Sequence, residues 1–371
     1  MRILVVGASN SLLRGGYLAR AEQVLRGNLG DSVDITNISV GGTTSITGAS
    51  RVLELPASAA FDMVVYEYAM NDANHFTPRQ NGAAFQFLAI QLLVGALAER
   101  FPDAVLAPLI FSMQHLFSTA TPNRIHDLQS EVWNTTGTPH LDVRQRLSHL
   151  FAQQAPDWLY SDPAHYATPQ ATDIIGSMVG RFLIEQARAK APQPVSETYR
   201  KLRALPRAAP FRLKHLDAQA LAAHAHGEWE MVVRTNSVMS TPALRLRPGG
   251  GLKLAEAPFN ISVLSDRLHD WGRVTRGGTG PVAVSTRYIA VDNPAVNPDD
   301  KDRFFYSGVP FPLLRPNLSP ARDPAPFELA LEAADQPLPE MLAFDSFLSR
   351  DLRPAAGRRL DLAGMTFLED A

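Results

Sequence analysis

The segment Arg2-Ile3-Leu4-Val5-Val6-Gly7-Ala8-Ser9-Asn10-Ser11 decides the fold. Its aliphatic run reads as a first strand, cut short by a glycine and small polar residues. A helix-like stretch, Tyr17–Leu29, comes next. The same alternation continues outward. Val33–Val40 reads as a second strand, and Phe61–Ala69 as a third with its apolar centre at Met63–Tyr66. Ala83–Phe101 has helical spacing, Ala104–Phe111 is a fourth strand, Arg124–Trp133 a helix and His140–Val143 a short fifth strand. Thr168–Lys190 closes the series, with Thr168 and Pro169 as N-cap and first helical turn. Strands alternating with helices predict a parallel sheet covered on both faces, a three-layer, doubly wound α/β/α fold. Ligands of such sheets gather at the carboxyl ends of the strands.

The chain has 371 residues, 45% of them hydrophobic. That is more than one core usually accommodates, so two domains are expected. Proline and basic residues crowd Lys190–Pro210, which reads as part of a linker. Beyond Trp229 the pattern turns short and alternating. Leu244–Leu254 has period-2 spacing on both sides of a glycine turn, a hairpin signal, and Val282–Val291 alternates likewise. Prolines within 310–326 argue against long helices there, and Asn293–Asp302 reads as a polar loop. The expected organisation is a catalytic domain over 1–190, a linker over 191–225 and an all-β, sandwich-like domain over 226–371.

Formal net charge is -2, which does not suggest a nucleic-acid partner. With no cysteine, thiol nucleophiles, disulfide scaffolds and thiolate zinc sites are excluded. Met1–Gly7 reads as a strand rather than a secretory signal, and Phe85–Leu97, interrupted by glutamine and glycine, is too short to span a membrane. The expected compartment is the cytoplasm. No cofactor or metal is expected. His224 and His226 could form a metal pair, but no third ligand stands at a recognisable spacing. A dinucleotide fingerprint is also incomplete, because Ser9 occupies the place of its second glycine.

Four places carry chemistry. A serine on a tight turn after a strand, as in Gly7-Ala8-Ser9-Asn10-Ser11, exposes its hydroxyl and leaves its own N–H free to donate. Glycines in the block Asn37–Thr44 allow close backbone approach to a ligand. Asn71, within Glu67–Asp72, can offer its amide to a developing negative charge. In Asp162-Pro163-Ala164-His165 the carboxylate can hold one imidazole nitrogen while the other faces the serine. Taken singly, these also fit a helix cap, a turn, an Asx-turn and a surface histidine.

Taken as an ordered set, they resemble the blocks of SGNH/GDSL hydrolases: a GDS-type serine block at Gly7–Ser11, a glycine block ending at Gly42, a G-x-N-D block at Ala69–Asp72 and a D-x-x-H block at Asp162–His165. The resemblance covers the first half of the chain and implies a flavodoxin-like sheet. It also implies Ser9 as nucleophile, His165 as base and Asp162 as its orienting partner. The oxyanion donors would be the Ser9 N–H, the Gly42 N–H and the Asn71 side chain. Ala8 stands where the family has aspartate and Ala69 where it has glycine, which leaves the four catalytic groups in place and the subfamily open. The expected activity is hydrolysis of a small acyl ester, such as an O-acetyl group on a carbohydrate. The alternatives are an acyltransferase, lipase or thioesterase of the same fold, or a non-catalytic glycan-binding or assembly protein. The expected partner is a small-molecule or glycan ester, with neither nucleic acid nor membrane; a homo-oligomer is compatible with this reading. Asn74 and His75 are candidates to line the cleft, and Trp271 and Tyr288 to stack on sugar rings.

Overall fold

The computed structural model describes residues 1–236, 239–265, 271–276, 279–285, 305–310, 326–330 and 359–371. The chain divides into two compact units, Met1–Pro210 and Phe211–Ala371. In the first unit, five parallel strands stand in the order β2-β1-β3-β4-β5. They are β1 (Arg2–Gly7), β2 (Asp34–Asn37), β3 (Met63–Glu67), β4 (Val105–Ile110) and β5 (Leu141–Asp142). Successive side chains of a strand point to opposite faces, so each buried strand supplies two cores. Ile3, Val5, Met63, Val65, Ala107 and Leu109 form one of them with helices α1 (Tyr17–Leu29) and α7 (Gln170–Ala187). Leu4, Val6, Val64, Tyr66 and Leu106 are fully buried residues at the alternate positions. Tyr66 meets Trp133 of α5 (Arg124–Thr136) edge to face, with ring centroids 5.4 Å apart.

Helix α4 (Gly82–Arg100) packs against α2 (Ser45–Leu53), α5 and α8 (Val195–Arg203). It corrects the expectation drawn from Phe85–Leu97. The helix has 19 residues with a mean hydropathy of 1.5, long and apolar enough to cross a membrane, but 72% of its apolar window is buried inside this unit. An all-round apolar helix is what a core position demands. Between the expected elements lie α3 (Ala69–Phe76), α6 (Val143–Leu150) and a two-stranded ribbon of β6 (Tyr160–Asp162) and β7 (His165–Tyr166). Helix α7 starts one residue later than expected: its N-cap is Pro169, with no side-chain cap, and Thr168 lies outside the helix.

The linker expected over 191–225 is absent. Val195 and Leu202 of α8 are fully buried, and the Val195 N–H donates to Ala104 O at 2.8 Å, so this segment belongs to the first unit. Phe211–Asp217 is already a strand of the second unit, paired with Leu360–Asp370. Proline and positive charge over 190–210 mark helix ends and exposed helix surface rather than a free chain.

The second unit is an antiparallel β-sandwich. One sheet orders Trp229–Thr235, Ser240–Leu246, Leu360–Asp370, Asn260–Ser265 and Phe305–Pro310. The other orders Thr279–Ser285, Trp271–Arg276, Phe327–Ala330, Gly251–Leu254 and Ala225–His226. Leu244, Leu246, Ile261 and Leu362 from one sheet share a core with Leu252, Leu254, Phe327 and Leu329 from the other. The hairpin read in Leu244–Leu254 is therefore corrected. Its two halves lie in different sheets, and the glycine turn carries the chain across; Ser240–Leu246 pairs instead with Trp229–Thr235. Of Val282–Val291, only the part within Thr279–Ser285 falls among the described residues. Asn293–Asp302, Tyr288 and the Trp271 side chain lie outside them.

The pairing of α1 with α7 depends on two glycines one turn apart. A Cβ on Gly176 would sit 2.4 Å from Tyr17 O and 2.6 Å from Arg20 Cβ, and one on Gly180 would sit 2.7 Å from Val24 Cβ. Because the nearest atom at Gly176 is backbone, Gly176→Ala forces the helices apart. It is expected to lower stability by about 1–3 kcal/mol, read as a lower thermal midpoint with an unchanged far-UV circular dichroism spectrum.

Candidate active site

The end of β1 is the fixed point of the site. Gly7 admits no side chain, since a Cβ there would lie 2.7 Å from Ser11 Oγ and 3.1 Å from Glu67. Ser9 then opens a single 3₁₀ turn, Ser9–Leu12, closed by the Ser11 N–H donating to Ala8 O at 3.1 Å. Asn37, at the end of β2, donates its side-chain amide to Ser11 O at 2.7 Å and ties this turn to the neighbouring strand. Beyond it the chain keeps to the edge of β1, the Val40 N–H donating to Gly7 O at 3.0 Å. This brings Gly41 against the serine: a Cβ there would lie 3.5 Å from Ser9 Cβ. Gly42 has φ +69°, a left-handed conformation that favours glycine.

Asn71 lies in the first turn of α3, 9% exposed, and its side-chain amide has no hydrogen-bond partner among the described residues. Its neighbour Asp72 is fully buried and accepts hydrogen bonds from the Ser45 N–H (2.9 Å), the Ser45 hydroxyl (2.8 Å) and the Gln86 amide (3.0 Å). One carboxyl thus joins the start of α2, which follows the Gly41–Gly42 loop, to the helix that carries Asn71. Burial raises it to about 7, against the lowering effect of its donors from Ser45 and Gln86.

The last block forms the ribbon of β6 and β7. Asp162 Oδ1 accepts the backbone N–H of Ala164 (2.8 Å) and of His165 (3.0 Å), which closes the turn. Asp162 Oδ2 is 2.8 Å from His165 Nδ1, and His165 Nε2 is 2.8 Å from Ser9 Oγ. A carboxylate can only accept, so this arrangement places the proton on Nδ1 and leaves Nε2 to accept from the Ser9 hydroxyl. Partial burial acts to raise the Asp162 carboxyl, but the Ala164 N–H, the imidazole and the His165 N–H together hold it below the usual value. The ribbon is fastened to the segment after β4. The Gln114 N–H donates to Pro163 O at 3.0 Å, the Tyr160 hydroxyl donates to Ser112 O at 3.0 Å, and the Ser112 N–H donates to the Tyr166 hydroxyl at 3.2 Å.

The structure therefore brings Ser9, His165 and Asp162 into one hydrogen-bonded chain across 156 residues of sequence. Asn74 is exposed and His75 half-buried. His226, of the pair weighed as metal ligands, lies on a short strand opposite Gly251, with Nε2 3.7 Å from Glu328 Oε1. Sequence reasoning missed Glu67. This fully buried residue accepts the Ala8 N–H at 3.2 Å and the Ser11 hydroxyl at 3.0 Å. A carboxyl from the neighbouring strand thus braces the Ser9 turn where Ala8 offers none. Its signal in the sequence is a lone acidic residue ending the apolar run of β3.

No protein-family model matches this sequence, and no curated protein does. Among solved structures, the chain is similar over 100% of its length to a two-domain esterase active on acetylated mannans, co-crystallized with mannopentaose, at a TM-score of 0.56 and 11% identity over 91% of that chain. A second structure of a two-domain esterase active on acetylated mannans gives a TM-score of 0.55 at 11% identity, covering 100% of this chain and 92% of that one. The lipase/acylhydrolase from Enterococcus faecalis covers 52% of this chain and 98% of its own, at 18% identity and a TM-score of 0.39. At 11% identity the full-length likeness is one of fold: an α/β/α domain followed by a β-rich domain.

Burial raises the Glu67 carboxyl to about 8, opposed by its hydrogen bonds from Ala8 and Ser11. Between the ordinary carboxylate range and that value, the folded chain holds a proton that the unfolded chain has released. Stability from this group is thus complete at low pH and falls as pH rises through the window. Glu67→Gln, uncharged throughout, is expected to show a smaller fall in thermal midpoint between about pH 5 and about pH 8 than the parent protein. Parallel midpoint curves for the two proteins would contradict the assignment.

Proposed function

We propose that this protein is a serine esterase that hydrolyses small acyl esters, O-acetyl groups on carbohydrate foremost, through an acyl-enzyme. The observation that carries the reading is the chain Asp162–His165–Ser9, with contacts of 2.8 Å at each link. A serine hydroxyl is a weak nucleophile at neutral pH and needs a base at hydrogen-bond distance. His165 Nε2 takes its proton as Oγ attacks the ester carbonyl, and Asp162 stabilises the imidazolium that forms. Negative charge moves to the carbonyl oxygen. The Ser9 N–H, the Gly42 N–H and the Asn71 amide are the donors for it. The imidazolium then protonates the leaving alcohol, which departs and leaves the acyl group on Ser9. Water, deprotonated by His165, attacks that acyl carbon and releases the acid and the free serine.

Two features support the choice of donors and substrate. The Asn71 side-chain amide has no partner among the described residues, which leaves its donor available to an oxyanion. The two-domain esterase that shares this fold over the whole chain acts on acetylated mannans, which favours an acetylated glycan here.

Ser9→Ala is expected to abolish turnover of p-nitrophenyl acetate with an unchanged thermal midpoint, and a fluorophosphonate probe is expected to label Ser9 of the parent protein. An active, unlabelled protein would overturn the nucleophile assignment. Asn71→Ala is expected to lower kcat by on the order of 10²–10³, as does loss of one oxyanion donor elsewhere. A series of p-nitrophenyl esters should favour acetate, and acetylated mannan and xylan should release acetic acid. Preference for long acyl chains would point to a lipase or thioesterase instead.

A further inference from the structure

We infer that Asn10 is a positioning residue that sets the distance between nucleophile and base, an inference that rests on the roles proposed for Ser9 and His165. Asn10 follows the nucleophile directly and is 2% exposed. Its Nδ2–H donates to Ala164 O at 2.9 Å, and its Oδ1 accepts the Tyr166 N–H at 3.2 Å. These main-chain groups flank His165 on either side. One side-chain amide, rooted beside Ser9, therefore grips the ribbon just before and just after the base.

No other hydrogen bond among the described residues does this. Asp162 closes the ribbon's own turn, while Gln114, Ser112 and the two tyrosines tie the ribbon to the segment after β4. Between the turn Ser9–Leu12 and the ribbon, the only hydrogen bonds among the described residues besides Ser9–His165 itself are those of Asn10. The Ser9–His165 contact cannot hold the ribbon in place during the reaction, because it changes as the proton moves. The Asn10 bonds exchange no proton and persist through every step. The same amide also lies 3.6 Å from Met70 Sδ, in the residue before Asn71. Asn10 thus touches two of the elements that bring functional groups to Ser9.

A buried asparagine that merely satisfies the chain would affect folding and nothing else. A positioning residue would affect the chemical step at constant substrate binding, since a displacement of about 1 Å can cost about 10²-fold in rate. The test compares Asn10→Ala and Asn10→Asp with the full-length parent. The aspartate keeps an acceptor for Tyr166 but turns an oxygen toward Ala164 O. Both variants are expected to lower kcat for p-nitrophenyl acetate by about 10²-fold per folded molecule, with KM unchanged. Fluorophosphonate labelling of Ser9 should slow by the same factor. Their crystal structures should show Ser9 Oγ and His165 Nε2 separated beyond about 3.5 Å.

A soluble variant with the parent's kcat and labelling rate overturns the inference, as does an unchanged Oγ–Nε2 distance. If the alanine variant does not accumulate as folded protein, the aspartate variant decides. A parent protein that is not labelled at Ser9 refutes the esterase reading instead. The distance in the variants then still answers whether Asn10 positions the ribbon.

Discussion

The close packing at the carboxyl end of β1 is the constraint from which the rest of the first unit follows. Gly7 has no space for a side chain, and two fully buried carboxyls, Glu67 and Asp72, stand close by with only hydrogen-bond donors to offset their loss of solvent. Polar atoms in such a place are costly without partners; Glu67 Oε2 has two, while Oε1 has none among the described residues. The partners come from the site itself: the Ala8 N–H and Ser11 hydroxyl for Glu67, the start of α2 for Asp72. Burial thus turns two acidic side chains into fixtures that hold the nucleophile turn and the first turns of two helices in register.

The α/β half was legible because its physics is local. Runs such as Ile3–Val6 and Met63–Tyr66 have one stable environment, a strand covered on both faces, and the helices between them have ordinary periodicity. Ser9, Asp162 and His165 were legible only as part of an ordered set of blocks that resembles the SGNH/GDSL pattern; singly, each is a polar residue at a turn. Glu67, Asn10 and the cradle of Asp72 were not legible. Their roles rest on partners 14 to 156 residues away, a separation that no local pattern encodes.

The second unit shows the limit of period-2 reading. Leu244, Leu246, Leu252 and Leu254 alternate as a hairpin would, yet the alternation says only that each leucine faces a core. In a sandwich both sheets face the same core, so two strands beside a glycine turn can pair together or lie opposite each other with the same pattern. The segment 190–225 fails for a similar reason. Proline and lysine describe what its surface meets, while the burial of Val195 and Leu202 decides where it belongs.

The half-open setting of the base has a consequence of its own. Ser9 follows a strand buried from Ile3 to Gly7, whereas Asp162 and His165, with side chains 49% and 22% exposed, stand on a ribbon of five residues. The exposed stretch between the two buried tyrosines of the ribbon is short, and exposed stretches open at a fraction of the global unfolding free energy. Warming would therefore part the His165 imidazole from the Ser9 hydroxyl while the central sheet is still intact. Recovery on cooling would then require only that a short ribbon settle back, not that the domain refold.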